Sequence, residues 1–422
     1  MSNARRIIPN GSIRGTVEAI ASKSHLHRLL ICAALSDEET LIHCKNTKAE
    51  DVKATIDCLT ALGAQIAWGE HGIKVKPIDI KNLPVECELP CHESGSTLRF
   101  MLPVVCALGL KARFHMSGRL PQRPLAPLDE QLCNRGVRIW RPEPQILCCE
   151  GKLIPGEYSL PGNISSQYIT GLLLALSLLS DKSVLTVTPP VESADYIMMT
   201  LGVCKLFGQV PQVSLHNYFV SGGGFKSPGS VQAEGDWSNA AFWLCAGAMP
   251  GGNISVKGLC KDSSQGDKDV CDILSRMGAE ISWDEDIITV SEGERWGGVI
   301  DAAAIPDLIP TLSAVAAVGE GVTIIKNAAR LRLKESDRIA TTTQALNNLG
   351  AKVTEGQDSI MIKGVPALSG GTVDSAGDHR IAMMAAVASA ACQDPVILTG
   401  FQAVNKSYPA FWDELDKLKV EV

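Results

Sequence analysis

Residues 58–66 read CLTALGAQI, the end of an amphipathic helix, then a glycine, then the start of a strand. The same signature returns about every seventy residues along the chain. The other copies are QLCNRGVRI (131–139), CKLFGQV (204–210), ILSRMGAEI (273–281), LNNLGAKV (346–353) and ELDKLKVEV (414–422). A fixed period of this size indicates one supersecondary repeat, present six times, and the sixth copy stops at the chain end.

A second series of apolar, often alanine-rich stretches runs in step with the first. They are LLICAAL (29–35), FMLPVVCALG (100–109), ITGLLLALSLL (169–179), AAFWLCAGAM (240–249), TLSAVAAV (311–318) and IAMMAAVASAA (381–391). Each is opened or adjoined by a small or charged residue: Ser24, Ser96, Ser166, Ser238, Asp307 and His379. Stretches apolar on all sides predict buried helices, whose first amide groups need partners. Each repeat is therefore predicted to be strand, buried helix, strand, surface helix, strand, strand.

The two chain ends predict how the repeats are distributed. The sixth repeat lacks its closing strands, whereas RRIIPNGSIRGTVEAI at residues 5–20 supplies two short strands around an Asn-Gly turn. We therefore predict that the N-terminus completes the last repeat. The result is an α/β protein with an inserted domain at 22–234 and a second domain built from 1–21 plus 235–422. Each has about two hundred residues, enough for its own core.

Composition narrows the class of protein. Hydrophobic residues make up 45%, charged residues 20%, and the net charge is −7, which favours neither disorder nor general affinity for nucleic acid. No signal peptide or uninterrupted membrane-spanning run is visible, so we expect a soluble, cytoplasmic protein. The fourteen cysteines lack paired metal spacing, which indicates free thiols in a reducing compartment. We expect neither a metal nor a disulfide at the adjacent Cys148 and Cys149.

Cationic and small polar residues cluster where the buried helices begin, which predicts anion binding in this acidic protein. A helix N-terminus contributes about 0.3–1 kcal/mol to a bound anion, and a charge-assisted hydrogen bond about 1.5–3 kcal/mol, so the side chains dominate. The clusters are SKSHLHR (22–28), ESGSTLR (93–99), RLPQRPLAPL (119–128), ISSQYIT (164–170), RLRLKESDR (330–338), GDHR (377–380) and NKSYP (405–409).

The densest cluster is RLRLKESDR. Its first three cations, Arg330, Arg332 and Lys334, alternate with leucines, which predicts a strand that presents them on one face. Glu335 and Arg338 are then predicted to share one side of a helix. Every cluster also has a structural alternative, as a helix cap or a solvated charge, and Asp307 has the alternative of an N-cap.

Together, the elements KS…R, SSQ, IPD, LKESDR and DHR resemble the 5-enolpyruvylshikimate-3-phosphate synthase family of enolpyruvyl transferases, in order over essentially the whole chain. The resemblance implies two domains, each of three βαβαββ repeats, with the active site in the cleft between them. It implies transfer of the enolpyruvyl group of phosphoenolpyruvate to the 5-hydroxyl of shikimate 3-phosphate, with release of phosphate, in chorismate and aromatic amino acid biosynthesis. It further implies inhibition by glyphosate and no cofactor or metal. We expect a monomer whose partners are these two small molecules, and neither nucleic acid nor membrane.

The resemblance also implies roles for individual residues. Those implied for phosphoenolpyruvate are Lys23, Gly95, Arg123, Gln167, Arg338, His379, Arg380 and Lys406. Those implied for shikimate 3-phosphate are Lys23, Ser24, Arg28, Ser165, Ser166, Gln167, Ser193, Tyr196, Asp307 and Lys334. Asp307 is the candidate base for the attacking hydroxyl. Glu335 or Lys23 is the candidate acid, although the cations beside Glu335 favour its charged form.

Three residues depart from the family pattern. Glu93 stands where many relatives have Asn and adds negative charge near the implied phosphoenolpyruvate site. Arg330 replaces a usual Asn, and Ala194 a usual basic residue. These departures predict altered substrate contacts, so Arg330 is left out of the implied site.

Three alternatives remain: a sister enzyme that would share the fold and the donor, a non-catalytic scaffold of a different class, and a degenerate relative. The sister enzyme that acts on UDP-N-acetylglucosamine usually has Lys-Asn where this chain has Lys23-Ser24, and a loop cysteine that the segment at 117–124 lacks. A non-catalytic ring of six repeats around nucleic acid predicts positive overall charge, which −7 argues against. Binding of phosphoenolpyruvate without turnover would instead indicate a degenerate relative that senses it.

Overall fold

The computed structural model describes residues 4–45 and 48–419, and the chain divides into two compact domains. The inserted domain is Ala21–Ala233, and the discontinuous domain is Met1–Ile20 together with Glu234–Val422. The sequence predicted residues 22–234 for the inserted domain, so each predicted boundary lies one residue later in the chain than the observed one.

The chain begins with two strands of the discontinuous domain, β1 (Arg5–Ile8) and β2 (Arg14–Glu18). The inserted domain follows, and each of its buried helices is preceded or followed by short strands. Its elements are α1 (Lys23–Ala34), β3 (Thr40–His43), α2 (Glu50–Ala61), β4 (Gln65–Gly69), β5 (Gly72–Lys76), β6 (Glu86–His92), α3 (Gly95–Leu108), β7 (Lys111–Met116), α4 (Leu128–Cys133), β8 (Val137–Glu143), β9 (Ile146–Gly151), β10 (Glu157–Pro161), α5 (Ser166–Leu178), β11 (Ser183–Thr188), α6 (Ala194–Leu206), β12 (Gln212–Ser214), β13 (Asn217–Val220) and β14 (Ser230–Gln232).

The remainder of the discontinuous domain repeats the pattern. Its elements are α7 (Trp237–Gly247), β15 (Asn253–Lys257), α8 (Val270–Arg276), β16 (Glu280–Asp284), β17 (Ile287–Ser291), β18 (Val299–Asp301), α9 (Ile309–Ala317), β19 (Val322–Lys326), α10 (Arg338–Asn348), β20 (Lys352–Glu355), β21 (Ile360–Lys363), β22 (Gly371–Asp374), α11 (His379–Ala388), β23 (Val396–Thr399) and α12 (Phe411–Leu418). Short 3-10 helices lie at Ile80–Asn82, Leu120–Gln122, Gly266–Asp269, Ala329–Leu333, Ser389–Ala391 and Phe401–Lys406.

Within the described residues, five four-stranded sheets share one strand order. They are β14-β3-β5-β4, β6-β7-β9-β8 and β10-β11-β13-β12 in the inserted domain, and β2-β15-β17-β16 and β18-β19-β21-β20 in the discontinuous domain. In each sheet the first two strands are parallel and the later pairs are antiparallel. Parallel neighbours need a crossover. A buried helix supplies it in three of the sheets, where α3 joins β6 to β7, α5 joins β10 to β11 and α9 joins β18 to β19. In the other two sheets, most of the inserted domain separates β3 from β14, and all of it separates β2 from β15. This is the predicted βαβαββ repeat.

The N-terminal strands correct the prediction that both complete the last repeat. β1 pairs antiparallel with β23, but β2 pairs parallel with β15 and is the first strand of the fourth repeat. The turn at Asn10 and Gly11 therefore joins strands of different sheets and forms no hairpin. In the first repeat the corresponding first strand is β14, which pairs with β3. The strand predicted at the end of the sixth copy falls largely on residues 420–422, outside the described residues.

The apolar stretches form buried helices as predicted: α1, α3 and α5 in the inserted domain, and α7, α9 and α11 in the discontinuous domain. Every residue of α9 and α11 is buried. In the inserted domain α5 packs closely on α3, because a Cβ on Gly171 would lie 2.2 Å from the carbonyl oxygen of Arg99. These helices form the cores, so their first turns are held rigidly by the apolar surface that they bury.

Residues 330–338 do not form the predicted strand. Ala329–Leu333 is a 3-10 helix, and α10 begins only at Arg338. Leu331 is fully buried whereas Leu333 is 53% exposed, although a strand would place both on one face. Leu331 packs into the hydrophobic core and Leu333 does not, so the segment forms a 3-10 helix and not a strand.

The charges of this segment diverge as a result. The Arg332 guanidinium donates to the carbonyl oxygens of Gly356 and Gln357 and to the Asp337 carboxylate, the N-cap of α10. Lys334 is directed instead toward Asp307. Glu335 precedes the helix in which it was predicted. The three cations therefore do not share one face.

Two further observations concern the described residues only. None of their helices is both long and apolar enough for a membrane span. All fourteen cysteines are free, with Cys148 and Cys149 buried side by side in β9, and no group of three potential ligands among these residues is arranged to hold a metal ion.

Candidate active site

The first turn of α1 carries Lys23 and Ser24, but neither caps the helix as predicted. Ser22 is the N-cap, and its hydroxyl accepts a hydrogen bond from the backbone N–H of His25. The Lys23 ammonium Nζ lies 2.7 Å from Oδ2 of Asp51, in the first turn of α2. Lys23 is thereby held at the start of two helices by an ion pair that the sequence analysis missed.

Arg28 lies one turn further along α1 and is buried, with 2% of its surface exposed. Its Nη1 donates to the carbonyl oxygen of Ser24 at 2.7 Å, and its Nε donates to the Thr200 hydroxyl at 2.8 Å. Its Nη2 donates to the Thr170 hydroxyl and to the Tyr196 carbonyl oxygen. These four acceptors are uncharged and leave one N–H of the guanidinium for another acceptor. Burial lowers the pKa of Arg28 to about 10.

Gln167 is fixed by Arg99, which the sequence analysis did not assign to the site. Arg99 Nη1 donates to Gln167 Oε1 at 2.6 Å, and Gln167 Nε2 donates to the Ser96 hydroxyl at 2.9 Å. The N-cap of α5 is Ser165, whose hydroxyl accepts from the Gln167 backbone N–H, and Ser166 is the first helical residue. The only signal for Arg99 in the sequence was its spacing of three residues from Ser96, one turn of α3.

Gly95 begins α3 directly beside Arg123. A Cβ on Gly95 would lie 2.7 Å from Arg123 Nη1 and 3.2 Å from its Cζ. Glycine therefore makes room for the Arg123 guanidinium. The divergent Glu93 lies next to this turn, where its Oε1 accepts a hydrogen bond from the backbone N–H of Arg119.

Ser193 precedes α6 in a left-handed conformation, with φ of 52°, and its side chain makes no cap hydrogen bond. A non-glycine residue in this region is strained, and such strain is concentrated at functional sites. Ala194 follows as the exposed first residue of α6, and Tyr196 lies in the same turn.

In the discontinuous domain, Asp307 is surrounded by three cations. Its Oδ1 lies 2.7 Å from Arg338 Nη1 and 3.4 Å from Lys334 Nζ, and its Oδ2 lies 3.4 Å from Arg380 Nη2. The N-cap of α9 is Leu308, so Asp307 is not a capping residue. Burial would raise the pKa of Asp307, but the charges of Arg380, Lys334 and Arg338 hold it well below the ordinary value. Asp307 is therefore a carboxylate at neutral pH.

Arg338 is almost completely buried and contacts three carboxylates. Besides Asp307, its Nη2 lies 2.7 Å from Glu335 Oε2 and its Nε lies 2.8 Å from Asp378 Oδ2. Burial would lower the pKa of Arg338, but Asp378, Glu335 and Asp307 together raise it. Asp378 also caps α11 by accepting from the backbone N–H of Arg380. The ion pair of Asp378 with Arg338 was not predicted from the sequence, because capping alone explains an aspartate at a helix start.

Lys334, the lysine among the three cations around Asp307, has a strongly displaced pKa. Burial lowers the pKa of Lys334 to about 8, and the positive charges of Arg338 and Arg330 act in the same direction. Asp307 and Glu335 oppose that shift. The divergent Arg330 is thus one of the charges that lower the pKa of Lys334.

The start of α11 supplies Arg380 and His379. Arg380 Nη1 donates to the carbonyl oxygens of Ser238 and Asp307, at 3.1 and 3.2 Å. Its Nε is buried without a hydrogen-bond partner among the described residues. His379 is buried, with Nδ1 3.7 Å from Asp378 Oδ1. Lys406 is buried at the end of the 3-10 helix Phe401–Lys406.

The chain was compared with protein families and with curated proteins. The family model for EPSP synthase (3-phosphoshikimate 1-carboxyvinyltransferase) matches residues 7–415. The chain belongs to the EPSP synthase family. Among curated relatives, the 3-phosphoshikimate 1-carboxyvinyltransferases of Clostridium acetobutylicum and Clostridium kluyveri are each 40% identical to it, over 416 and 413 residues. Each alignment covers 97% of this chain and 96% of the relative.

Solved structures show the same fold. The EPSP synthase of Acinetobacter baumannii matches with a TM-score of 0.81 and 23% identity, over 98% of both chains. The enolpyruvyl transferase NikO of Streptomyces tendae matches with a TM-score of 0.79 and 18% identity, over 98% of this chain and 97% of that one. The predicted enolpyruvyl transferase-like fold is thereby confirmed.

Each domain of this EPSP synthase family fold gathers part of the predicted site. The inserted domain carries, at or near helix starts, Lys23, Ser24, Arg28, Gly95, Arg123, Ser165, Ser166, Gln167, Ser193 and Tyr196. The discontinuous domain carries Asp307, Lys334, Glu335, Arg338, His379, Arg380 and Lys406. Hydrogen bonds and ion pairs connect most members of each group within its own domain.

Proposed function

We propose that this member of the EPSP synthase family transfers the enolpyruvyl group of phosphoenolpyruvate to the 5-hydroxyl of shikimate 3-phosphate and releases phosphate. The names of the curated relatives support this reaction. The observation that carries the assignment of roles is the position of Asp307 between Arg338, Lys334 and Arg380. It combines an ionised base with cations suited to anionic substrates.

The proposal assigns shikimate 3-phosphate mostly to donors of the inserted domain. In the proposal, Ser24 and Arg28 bind the carboxylate of shikimate 3-phosphate, with Tyr196 nearby. Its phosphate is bound by hydroxyl, amide and ammonium donors: Ser165, Ser166, Gln167, Ser193 and Lys334. Uncharged donors satisfy phosphate oxygens without adding positive charge, and Arg28 retains one N–H for a ligand.

Phosphoenolpyruvate has two anionic ends, and the proposal assigns different cations to each. Its phosphate is bound by Lys23, Arg123, Gln167 and Lys406 beside the backbone of Gly95. Its carboxylate is bound by Arg338 and Arg380, with His379 alongside. Fixed cations at the phosphate stabilise the negative charge that develops when it leaves.

The reaction needs a base at the 5-hydroxyl and an acid at the methylene carbon. Asp307 accepts the hydroxyl proton as that oxygen bonds to the substituted carbon of phosphoenolpyruvate, whose methylene carbon takes up a proton. Phosphate then leaves, and a proton is lost from the new methyl group to restore the double bond. Positive charge that develops at the central carbon is stabilised by the nearby carboxylates.

Of the two candidate acids, Lys23 is better supported than Glu335. Glu335 is paired with Arg338 at 2.7 Å, and the neighbouring positive charge favours its carboxylate form. Lys23 is paired with Asp51 at 2.7 Å, and the neighbouring negative charge favours its ammonium form. An ammonium carries the proton that the methylene carbon needs, whereas a carboxylate does not.

The test is phosphate release by the purified protein without added metal. We expect release only when shikimate 3-phosphate and phosphoenolpyruvate are both present. Asp307→Asn should lose this activity, whereas the matched control Asp301→Asn, an exposed aspartate at the end of β18, should keep it. Product formation from UDP-N-acetylglucosamine, with no release from shikimate 3-phosphate, would contradict the proposal.

A further inference from the structure

Asp267 is a buried carboxylate that the proposed reaction does not use. It lies in the 3-10 helix Gly266–Asp269, with 1% of its surface exposed. Its Oδ2 accepts a short hydrogen bond from the hydroxyl of Ser238, in the first turn of α7. Ser238 is the second residue of α7, His379 is the first residue of α11, and Asp307 lies just before the N-cap of α9. Asp267 therefore adjoins the helix starts that carry the proposed site.

The contacts of Ser238 lead directly to Arg380. The Ser238 carbonyl oxygen accepts from Arg380 Nη1 at 3.1 Å, and the Asp307 carbonyl oxygen accepts from the same nitrogen at 3.2 Å. The starts of α7, α9 and α11 thus meet at the Arg380 guanidinium. The ionisable groups that interact with Asp267 from these elements are Arg380, Asp307 and Asp236, the N-cap of α7.

The charge state of Asp267 is finely balanced. Burial is the largest influence, and together with the negative charges of Asp307 and Asp236 it raises the pKa of Asp267 to about 7. The charge of Arg380 and the hydrogen bond from Ser238 lower it. Because Arg380 stabilises the ionised form of Asp267, an ionised Asp267 must equally attract Arg380.

We propose that Asp267 is a positioning residue that controls how strongly Arg380 binds its anionic ligand. The ionised Asp267 competes with that ligand for the positive charge of Arg380. The protonated Asp267 leaves the charge to the ligand and keeps its hydrogen bond with Ser238. The proposal rests on the proposed function, in which the ligand of Arg380 is the carboxylate of phosphoenolpyruvate.

Two measurable effects follow from this competition. An anion at Arg380 repels the ionised Asp267 and so favours its protonation, which means that binding of phosphoenolpyruvate takes up a proton there. As the pH rises past about 7, Asp267 ionises and the KM for phosphoenolpyruvate increases. A coupling of one pKa unit corresponds to about a tenfold change in affinity.

The experiment compares the wild type with Asp267→Asn between about pH 6 and pH 9, the range over which a group with pKa near 7 titrates. Asn has the same shape, can bond to Ser238 and does not ionise. We expect the KM for phosphoenolpyruvate to rise about three- to tenfold more in the wild type than in the variant, with similar kcat. The matched control is Asp269→Asn, an exposed aspartate of the same 3-10 helix, which should follow the wild type. The same KM profile in all three proteins would overturn the proposal.

A second variant keeps the Asp267 carboxylate but changes the pH at which the KM for phosphoenolpyruvate increases. Ser238→Ala deletes the hydrogen bond that lowers the pKa of Asp267, so the increase in KM should shift to higher pH. A midpoint that stays or moves to lower pH would contradict the mechanism. This variant also decides the matter if Asp267→Asn fails to fold.

Calorimetry separates this proposal from the proposed function. Binding of phosphoenolpyruvate is measured in buffers with different ionisation enthalpies, which reports proton uptake whether or not phosphate is released. Because the substrate phosphate itself titrates near pH 6, the readout is the difference between wild type and Asp267→Asn. Greater uptake by the wild type supports the role of Asp267, and equal uptake refutes it. Binding without any phosphate release would refute only the proposed reaction.

Discussion

The buried helices of the two domains begin among cations in opposite electrostatic surroundings. In the inserted domain, Arg28 donates only to hydroxyl and carbonyl oxygens, and Arg99 binds the amide oxygen of Gln167. In the discontinuous domain, Arg338 contacts three carboxylates and Arg380 contacts Asp307. A cation among neutral acceptors keeps its charge for a ligand. A cation among carboxylates mainly fixes those carboxylates in place.

The difference explains how an acidic protein binds two anionic substrates. Net charge is unimportant when a buried arginine such as Arg28, bonded to neutral oxygens, presents its charge locally. Lys23 is an exception to this pattern, because Asp51 pairs with it. That exception agrees with its proposed role as a proton donor, which demands a fixed ammonium rather than the greatest possible attraction for phosphate.

The largest expected effect is on stability, and it compares the replacement of Arg338 with the replacement of Arg28. Arg338→Met removes a buried cation that three carboxylates share and should lower the free energy of unfolding by about 3–5 kcal/mol. Arg28→Met leaves neutral groups, two of which, Thr170 and Thr200, already bond to each other at 2.8 Å, and should cost about 1–2 kcal/mol. Denaturant titration of both variants is the measurement. Equal losses would show that the carboxylates do not distinguish the two domains.

The second prediction concerns chemistry in the carboxylate-rich domain. Asp307→Asn should lower kcat about 100-fold or more, because the reaction loses a positioned base. The fold should persist, since Asp378 and Glu335 still hold Arg338. Initial rates of phosphate release, with Asp301→Asn alongside, measure the effect. Near-normal turnover would remove Asp307 from the role of base.

The third prediction concerns His27, a histidine of the inserted domain that burial keeps uncharged. His27 is buried, its Nδ1 bonds to the Thr55 hydroxyl at 2.7 Å, and burial lowers its pKa to about 3. Because the folded pKa is below the unfolded value, His27 contributes full stability above about pH 6.5 and loses it as the pH falls toward 3. Between pH 7 and 5 this loss is about 2 kcal/mol. His27→Gln should flatten the decline in an unfolding series, whereas exposed His71→Gln should not.

The smallest expected effect concerns Arg123, a cation that we propose binds the phosphate of phosphoenolpyruvate. Gly95→Ala places a Cβ 2.7 Å from Arg123 Nη1, so the guanidinium must move. We expect the KM for phosphoenolpyruvate to rise about tenfold, or about 1.4 kcal/mol, and inhibition by glyphosate to weaken. Gly202→Ala is the control, since a Cβ there meets nothing within 4 Å. Equal kinetics and equal inhibition in both variants would refute the steric argument.

The repeats could be predicted from the sequence because each contains the same two features in a fixed order. These are an apolar stretch, and an amphipathic helix that is followed by a strand. Apolar stretches such as those at 169–179 and 311–318 have no polar face, and burial is the only stable outcome for them. The small or charged residues at helix starts, such as Ser166 and Asp307, were found for the same reason, since their spacing follows the repeat. Local pattern and tertiary packing agree at these positions.

Predictions failed where packing of one residue overrides a local pattern. Alternation predicted a strand at 330–334, but burial of Leu331 without Leu333 produces a 3-10 helix. Asp378 and Arg99 were missed because their partners, Arg338 and Gln167, lie far away in sequence. The pairing of β2 with β15 was equally out of reach, because strand partners are set by sheet order and not by the turn at Asn10 and Gly11.

The division of strands between the chain ends governs the order in which the protein matures on the ribosome. β1 and β2 are synthesised before the inserted domain, whereas their partners β23 and β15 are synthesised after it. The inserted domain has all its strand partners once β14 emerges, so it assembles while the leading twenty residues are still unpaired. A nascent chain halted before β23 would therefore carry one finished domain and an unsatisfied N-terminal strand. An unpaired strand of this kind can pair with the exposed sheet edge of another chain.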